Sequence, residues 1–166
     1  MTIPFLKHFR YHEARFLSLL TASTASFILG FAIPFKISFY AAVAVLLALS
    51  LYTIHREKIK IDRSEAVFAL IFAYFIFLRF LNPYIFDAEK FMDSAFVNAV
   101  LKAESFPPND PFLAGEKLDF YYYFGHLIGA SITLLSFSTP EIGYNVAIAA
   151  LPAYTSLLIY GVLREK

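Results

Sequence analysis

Chemistry-bearing residues are gathered in one stretch of the chain. Residues 82–119 carry seven carboxylates (Asp87, Glu89, Asp93, Glu104, Asp110, Glu116 and Asp119) and four prolines. The helix start that follows is Phe120-Tyr121-Tyr122-Tyr123-Phe124-Gly125-His126. Carboxylates and a histidine are the groups that move protons near neutral pH. Asp93 falls between Met92 and an apolar helix face, where desolvation would raise a carboxyl pKa and suit it to general-base work. Asp87 and Glu89 sit before or in the first turn of the same helix, a position acids favour for electrostatic reasons alone. Two or three such carboxylates are also compatible with Mg2+ or Mn2+ held through oxygen.

Tyr122 and His126 are one helical turn apart, and so are Gly125 and Gly129, a GxxxG spacing that marks close helix contact. Three adjacent tyrosines fan over most of a helix circumference. An aromatic belt at a membrane interface explains part of that pattern. A histidine one turn inside a membrane helix points instead to function, as polar groups at that depth usually do. Arg79 is a second such residue, able to pair with a loop acid or a substrate phosphate. Asp110 lies in the stiff, non-helical run Phe106-Pro107-Pro108-Asn109-Asp110-Pro111.

The elements that must position these residues are long and apolar. Of 166 residues 59% are hydrophobic and 16% charged, with mean hydropathy +0.62. A soluble domain carries about 25% charge, so lipid must cover this chain. A net charge of +1 and the lack of any basic run interleaved with aromatics exclude a nucleic-acid groove. With no cysteine there is no disulfide, thiolate metal site or Cys nucleophile.

Five membrane spans are expected, near residues 14–33, 37–54, 64–81, 120–137 and 141–163. Ser18, Ala22, Ser26 and Gly30 form a small-residue stripe along the first. It reads as a close-packing face, and chance in an Ala/Ser-rich helix gives the same pattern. Ser64 is the expected cap of the third span, with Glu65 in its first turn, and Pro152 an expected kink in the fifth. Residues 91–103 make a short amphipathic helix, with Ser94, Asn98 and Lys102 as its polar stripe and Met92, Ala95, Phe96, Ala99 and Val100 as its apolar face. At that length it would lie on the outer surface. Basic residues concentrate before residue 13 and in the 55–63 linker, which the positive-inside rule places in the cytoplasm. The 82–119 segment, with seven acids against Lys90, Lys102 and Lys117, is then extracytoplasmic. By this count Arg164 ends the last span on the outside, against the charge rule. The abrupt end suggests a truncated or split polypeptide.

Four runs in order, Arg79-Phe80-Leu81-Asn82-Pro83, Glu89-Lys90-Phe91-Met92-Asp93-Ser94-Ala95-Phe96, Phe106-Pro107-Pro108-Asn109-Asp110-Pro111-Phe112-Leu113-Ala114-Gly115 and Tyr121-Tyr122-Tyr123-Phe124-Gly125-His126, resemble the archaeal and Chloroflexi "YYY" multi-pass membrane proteins over about residues 78–160. Phe112 stands where that family commonly has Trp, and its members carry many more spans. Their layout is similar to that of GT-C glycosyltransferases, in which a membrane helix leads into a large outer loop with an acidic motif and a surface-lying helix.

The resemblance implies an all-α, multi-pass transmembrane bundle with a GT-C-like core fragment at 64–166, preceded by a transmembrane hairpin and basic linker at 1–63. It implies a membrane glycosyltransferase, or its N-terminal part, using a polyprenyl-phosphate-linked sugar at the outer face. Asp93 or Glu89 would be the catalytic carboxylate, and Arg79, Asp110, Tyr122, Tyr123 and His126 would line the donor site. Mg2+ or Mn2+ would be held by Asp87, Glu89 and Asp93 if a metal is used. The fold would be completed by further transmembrane segments or a partner subunit. The alternative is a non-catalytic membrane subunit, or a protein that binds or transports a lipid-linked sugar.

Overall fold

The computed structural model describes residues 1–54, 62–86, 88–118 and 123–164, the side chain of Ala88 excepted. The described residues fold into six α-helices and a short 3-10 turn, Ile3–Phe5. The helices are α1 (Tyr11–Leu29), α2 (Phe35–Ile54), α3 (Ser64–Leu81), α4 (Ala88–Leu101), α5 (Tyr123–Leu135) and α6 (Pro140–Leu163). No strand forms among them, although an isolated antiparallel bridge joins Asn109 to Lys117. The chain is an all-helical membrane protein. By length and composition α2, α3 and α6, with 20, 18 and 24 residues, can each cross a bilayer.

α1 is less apolar, because Ser and Thr occupy much of its second half; Ser23 and Ser26 face the interior, and Thr21 and Thr24 are exposed. The stripe Ser18, Ala22, Ser26 and Gly30 is buried. Small side chains let the neighbours approach to hydrogen-bonding distance: the Ser38 hydroxyl donates to the Ser26 carbonyl at 3.1 Å, and Ser23 and Ser131 pair at 3.1 Å. The stripe is therefore a packing face.

Polar contacts show which helix ends lie together. At one end α1, α3 and α6 meet. The Tyr11 hydroxyl donates to Glu65 Oε2 at 3.0 Å, and Arg15 Nη2 lies 3.0 Å from Glu65 Oε1. Arg164 Nη1 donates to both oxygens of Asp62 at 3.0 and 3.1 Å. At the opposite, loop end, Arg79 near the close of α3 donates from Nε to Asn145 Oδ1 near the opening of α6, at 2.6 Å. Thus α3 and α6 are antiparallel, and α6 finishes beside the start of α1.

This corrects two expectations. Arg164 lies at the N-terminal end with Arg10, Arg15 and Arg63, so its conflict with the charge rule disappears. The cause is α5, which does not traverse the bundle. Its first residue, Tyr123, packs on Phe27 and Phe106 near the α1–α2 turn. Near its other end Thr133 abuts Gly143 in α6, and the Leu134 carbonyl accepts from Tyr40, early in α2. Both ends of α5 lie at the loop end. Its 13 described residues extend about 20 Å, short of the ~30 Å hydrocarbon core.

A third correction concerns the start of α3. The cap is not the Ser64 hydroxyl: the Asp62 carboxylate accepts from the Ser64 N–H at 2.8 Å.

An aromatic core anchors the loop. Phe106 is 5% exposed and sits among Phe27, Phe31, Phe35 and Tyr123. Its N–H donates to the Gly30 carbonyl at 2.7 Å, while the Phe35 N–H donates to the Ala103 carbonyl at 3.0 Å. A Cβ at Gly30 would lie 2.5 Å from the Phe106 ring, so only glycine fits. α3, by contrast, buries only Ser64 among its own residues.

Candidate functional site

The site is built on α4, whose orientation follows from its apolar positions. Phe96, Val97, Val100 and Leu101 are buried. The buried face is rotated only in part from the expected one. Phe96 and Val100 are buried as expected, and Ala99 packs against the same core while also lining a cleft. Met92, by contrast, is 38% exposed, and Val97 and Leu101 join the buried face. The rotation follows from packing against α5, where Gly129 has no side chain and Val97 fills the space left. Of the GxxxG pair, Gly129 is in such a contact, and among the described residues none lies close enough to Gly125 to meet a side chain there.

Asp93 lies on the edge of that buried face. Its Oδ1 is 3.1 Å from His126 Nε2, and the Phe96 ring packs edge-on against the imidazole with centroids 5.2 Å apart. The two side chains are unequally covered: 14% of His126 and 44% of Asp93 is exposed. Contrary to the expectation of a desolvated carboxyl, Asp93 keeps contact with the surroundings on one side and is held by the imidazole on the other.

On the far side of α4 lies a cleft of about 770 Å3. Asn98 and Lys102 line it from α4, Asp110 and Lys117 from the loop, and Glu141 from the first turn of α6, with Glu104 at its edge. Lys102 is nine positions from Asp93, about two and a half turns, so the two leave the helix on opposite sides. The cleft and the Asp93–His126 pair are separate places.

The other expected site residues are dispersed. Among the described residues Arg79 meets no loop acid; besides Asn145 it donates to the Tyr84 carbonyl at 3.2 Å. Asp110 lines the cleft and also closes a turn: its Oδ1 accepts from the N–H groups of Phe112 and Leu113 at 2.7 and 3.1 Å. The turn is completed by Gly115 at φ 86° and by the Asp110 N–H donating to the Glu116 carbonyl at 2.9 Å. Tyr123 is buried in the Phe27–Phe106 cluster. Glu89 is exposed in the first turn of α4, one turn before Asp93. Asp87, Asp119, Tyr121, Tyr122 and the linker 55–61 lie outside the described residues.

Among the described residues no three His, Asp or Glu side chains converge as metal ligands. Of the expected Mg2+ or Mn2+ set, Asp93 is paired with His126 and Glu89 is exposed one turn earlier on α4, while Asp87 lies outside the described residues.

Sequence reasoning noticed Asn98 and Lys102 only as a polar stripe, and missed Lys117 and Glu141 as partners across a cleft. The i, i+4 spacing of Asn98 and Lys102 was the available signal. Nothing local in the sequence marks Lys117, which reaches the cleft through the turn that Asp110 closes.

Residues 16–165 match the family described as Uncharacterized membrane protein (DUF2298). Among curated proteins and among solved structures, none matches the chain.

Proposed function

We propose, from the premise that the chain belongs to this DUF2298 family of membrane proteins, that it acts as a GT-C-like glycosyltransferase. Its donor is a sugar carried on a polyprenyl phosphate, handled at the loop end of the bundle. The observation that carries this reading is the Asp93–His126 pair, in which two residues 33 positions apart are joined at 3.1 Å. The imidazole N–H holds one carboxylate oxygen, and the 44% exposure of the side chain lets an acceptor hydroxyl reach the carboxyl.

In this reading Asp93 takes the proton of that hydroxyl. The hydroxyl oxygen forms a bond to the anomeric carbon as the bond from that carbon to the phosphate oxygen breaks. The electron pair leaves with the lipid phosphate. His126 is a positioning residue. Glu89, one turn earlier on α4, extends the acidic edge on which the acceptor docks. Arg79, fixed by Asn145 and the Tyr84 carbonyl, offers a guanidinium at the loop end to support the departing phosphate. The basic N-terminal end faces the cytoplasm and the loop faces out, an orientation supported by the gathering of Arg10, Arg15, Arg63 and Arg164 at one end.

The test is transfer of labelled hexose from a polyprenyl-phosphate hexose in membranes carrying Asp93→Asn or His126→Gln. Loss of transfer in Asp93→Asn, with donor binding retained, is the expected result. Unchanged transfer in both variants would remove the proposal.

A second reading has its own support. The cleft places Lys102 and Lys117 among Asn98, Glu104, Asp110 and Glu141, two cations that could hold a phosphate beside acids and an amide that could bind sugar hydroxyls, on the opposite side of α4 from Asp93. A non-catalytic subunit that binds a lipid-linked sugar would use that cleft. It would lose donor binding in Lys102→Gln and be unaffected by Asp93→Asn.

A further inference from the structure

The turn between α5 and α6 holds a backbone conformation that contacts within the chain do not explain. Phe137 closes the end of α5, its N–H donating to the Leu134 carbonyl at 3.3 Å, and its φ is 52°. That left-handed position after a helix is usually taken by glycine, because a Cβ is crowded there. Phe137 is nevertheless 85% exposed, so its ring gains little from the rest of the chain. A bulky residue strained in this way and held outward points to a contact outside the chain.

The neighbouring helices set what lies outside at this level. The Leu134 carbonyl accepts from Tyr40 in α2, and Pro140 opens α6 just after Phe137. Both α2 and α6 are long and apolar enough to cross a bilayer. Their first turns carry Lys36 and Glu141, charges that the acyl chains exclude. Phe137 therefore stands where two spanning helices enter the polar layer. Two other connections at the loop end repeat the pattern. Phe31, between α1 and α2, is 54% exposed, and Phe86, beyond the end of α3, is 81% exposed with its ring stacked on Tyr84 at 5.2 Å.

α2 packs on α1 and α3 on α6, so these rings stand on different flanks of the bundle. A protein partner would cover one flank. Lipid surrounds all of them, and the boundary between headgroups and acyl chains accepts Phe rings. Tyr123, which an aromatic belt would have used, is buried instead.

We infer that the loop end of the bundle is seated in the headgroup–acyl boundary of the bilayer by exposed phenylalanines on three separate connections, Phe31, Phe86 and Phe137. The seating does not depend on glycosyl transfer; it sets the depth of Asp93, His126 and the cleft whatever reaction occurs there.

The chain has no tryptophan, so Phe86→Trp and Phe137→Trp each supply a single fluorophore. Both positions are exposed, and the larger ring displaces nothing in the core. The whole chain is reconstituted in phosphatidylcholine vesicles brominated near the headgroup or near the chain end, with iodide in the water on both sides. Each fluorophore is expected to be shielded from iodide and quenched about twofold more by bromine near the headgroup than by bromine near the chain end. Free quenching by iodide, with none by either lipid, would place the rings in water and overturn the inference. Shielding from iodide and from both lipids would overturn it in favour of a protein contact. Quenching chiefly by chain-end bromine would put the loop end below the boundary and also overturn it. So would lipid quenching of one fluorophore alone, since a lipid layer reaches both flanks.

Discussion

Asp93 on α4 and His126 on α5 meet at 3.1 Å, with the carboxylate more exposed than the imidazole. A pair open on one side contributes little to stability, since the carboxylate can exchange the imidazole for water. His126→Gln, which keeps much of the buried volume packed on Phe96, is therefore expected to destabilise the chain by about 1 kcal/mol or less. Asp93→Asn should lower hexose transfer by about 100-fold or more, within the range for a general base. Thermal unfolding and transfer assays on the same preparations separate the two effects. A stability loss large enough to explain the transfer loss would count against the catalytic role.

Glycine substitutions should divide sharply. Gly30→Ala places a Cβ 2.5 Å from the Phe106 ring and 2.8 Å from the Ser26 carbonyl, and an overpacking cost of roughly 1–3 kcal/mol is expected. Gly143→Ala meets the Thr133 side chain and should behave similarly. Gly125→Ala meets nothing among the described residues, and should be neutral or stabilising by roughly 0.5–1 kcal/mol through helix propensity. Unfolding temperatures in one detergent rank the three; a costly Gly125→Ala would contradict the packing described.

The Asp62 carboxylate is held below the usual carboxylate range, chiefly by the Ser64 N–H, which outweighs the opposing effect of burial, with lesser help from Arg164. A lowered folded-state pKa means that the unfolded chain takes up a proton first as pH falls. The stabilisation is complete above the unfolded value of about 3.9 and is lost as pH drops through the folded value. Acid unfolding below about pH 4 should accordingly be less steep in Asp62→Asn, which gives up the charge at all pH values. Identical acid profiles for the two proteins would remove the assignment.

The direction of α6 is open to chemical labelling, because the chain has no cysteine of its own. Single cysteines at Lys7 and Arg164 should react with a membrane-impermeant maleimide from the same side of a sealed vesicle, and one at Glu116 from the other. Arg164→Cys reacting together with Glu116→Cys would mean that α5 crosses after all.

The long helices were legible because their apolar length has no other explanation, and the ends of α2, α3 and α6 fall within a few residues of the expected ones. The existence of α4 was legible from its apolar and polar stripes, and its exact facing was not, since that depends on the room Gly129 leaves for Val97. Asp93 and His126 stood out by residue type; their meeting needed the three-dimensional path of the loop. The depth of α5 was hidden, because residues 123–135 are as apolar as a crossing helix, and what turns them back is contact with Phe27, Tyr40 and Gly143. Arg79 was recognisable as unusual, yet its partner Asn145 lies 66 positions away, with no local signal to link the two.

Lipid gives two apolar helices little reason to prefer one sliding position over another. α3 and α6 are fastened at both extremities, by Asp62 with Arg164 and by Arg79 with Asn145. A slip of one turn, about 5.4 Å, would undo both fastenings together. Four polar side chains thus set the register of the pair. The Pro83 carbonyl, bonded to the same Asn145 at 3.2 Å, passes that setting to the strip of backbone leading into α4.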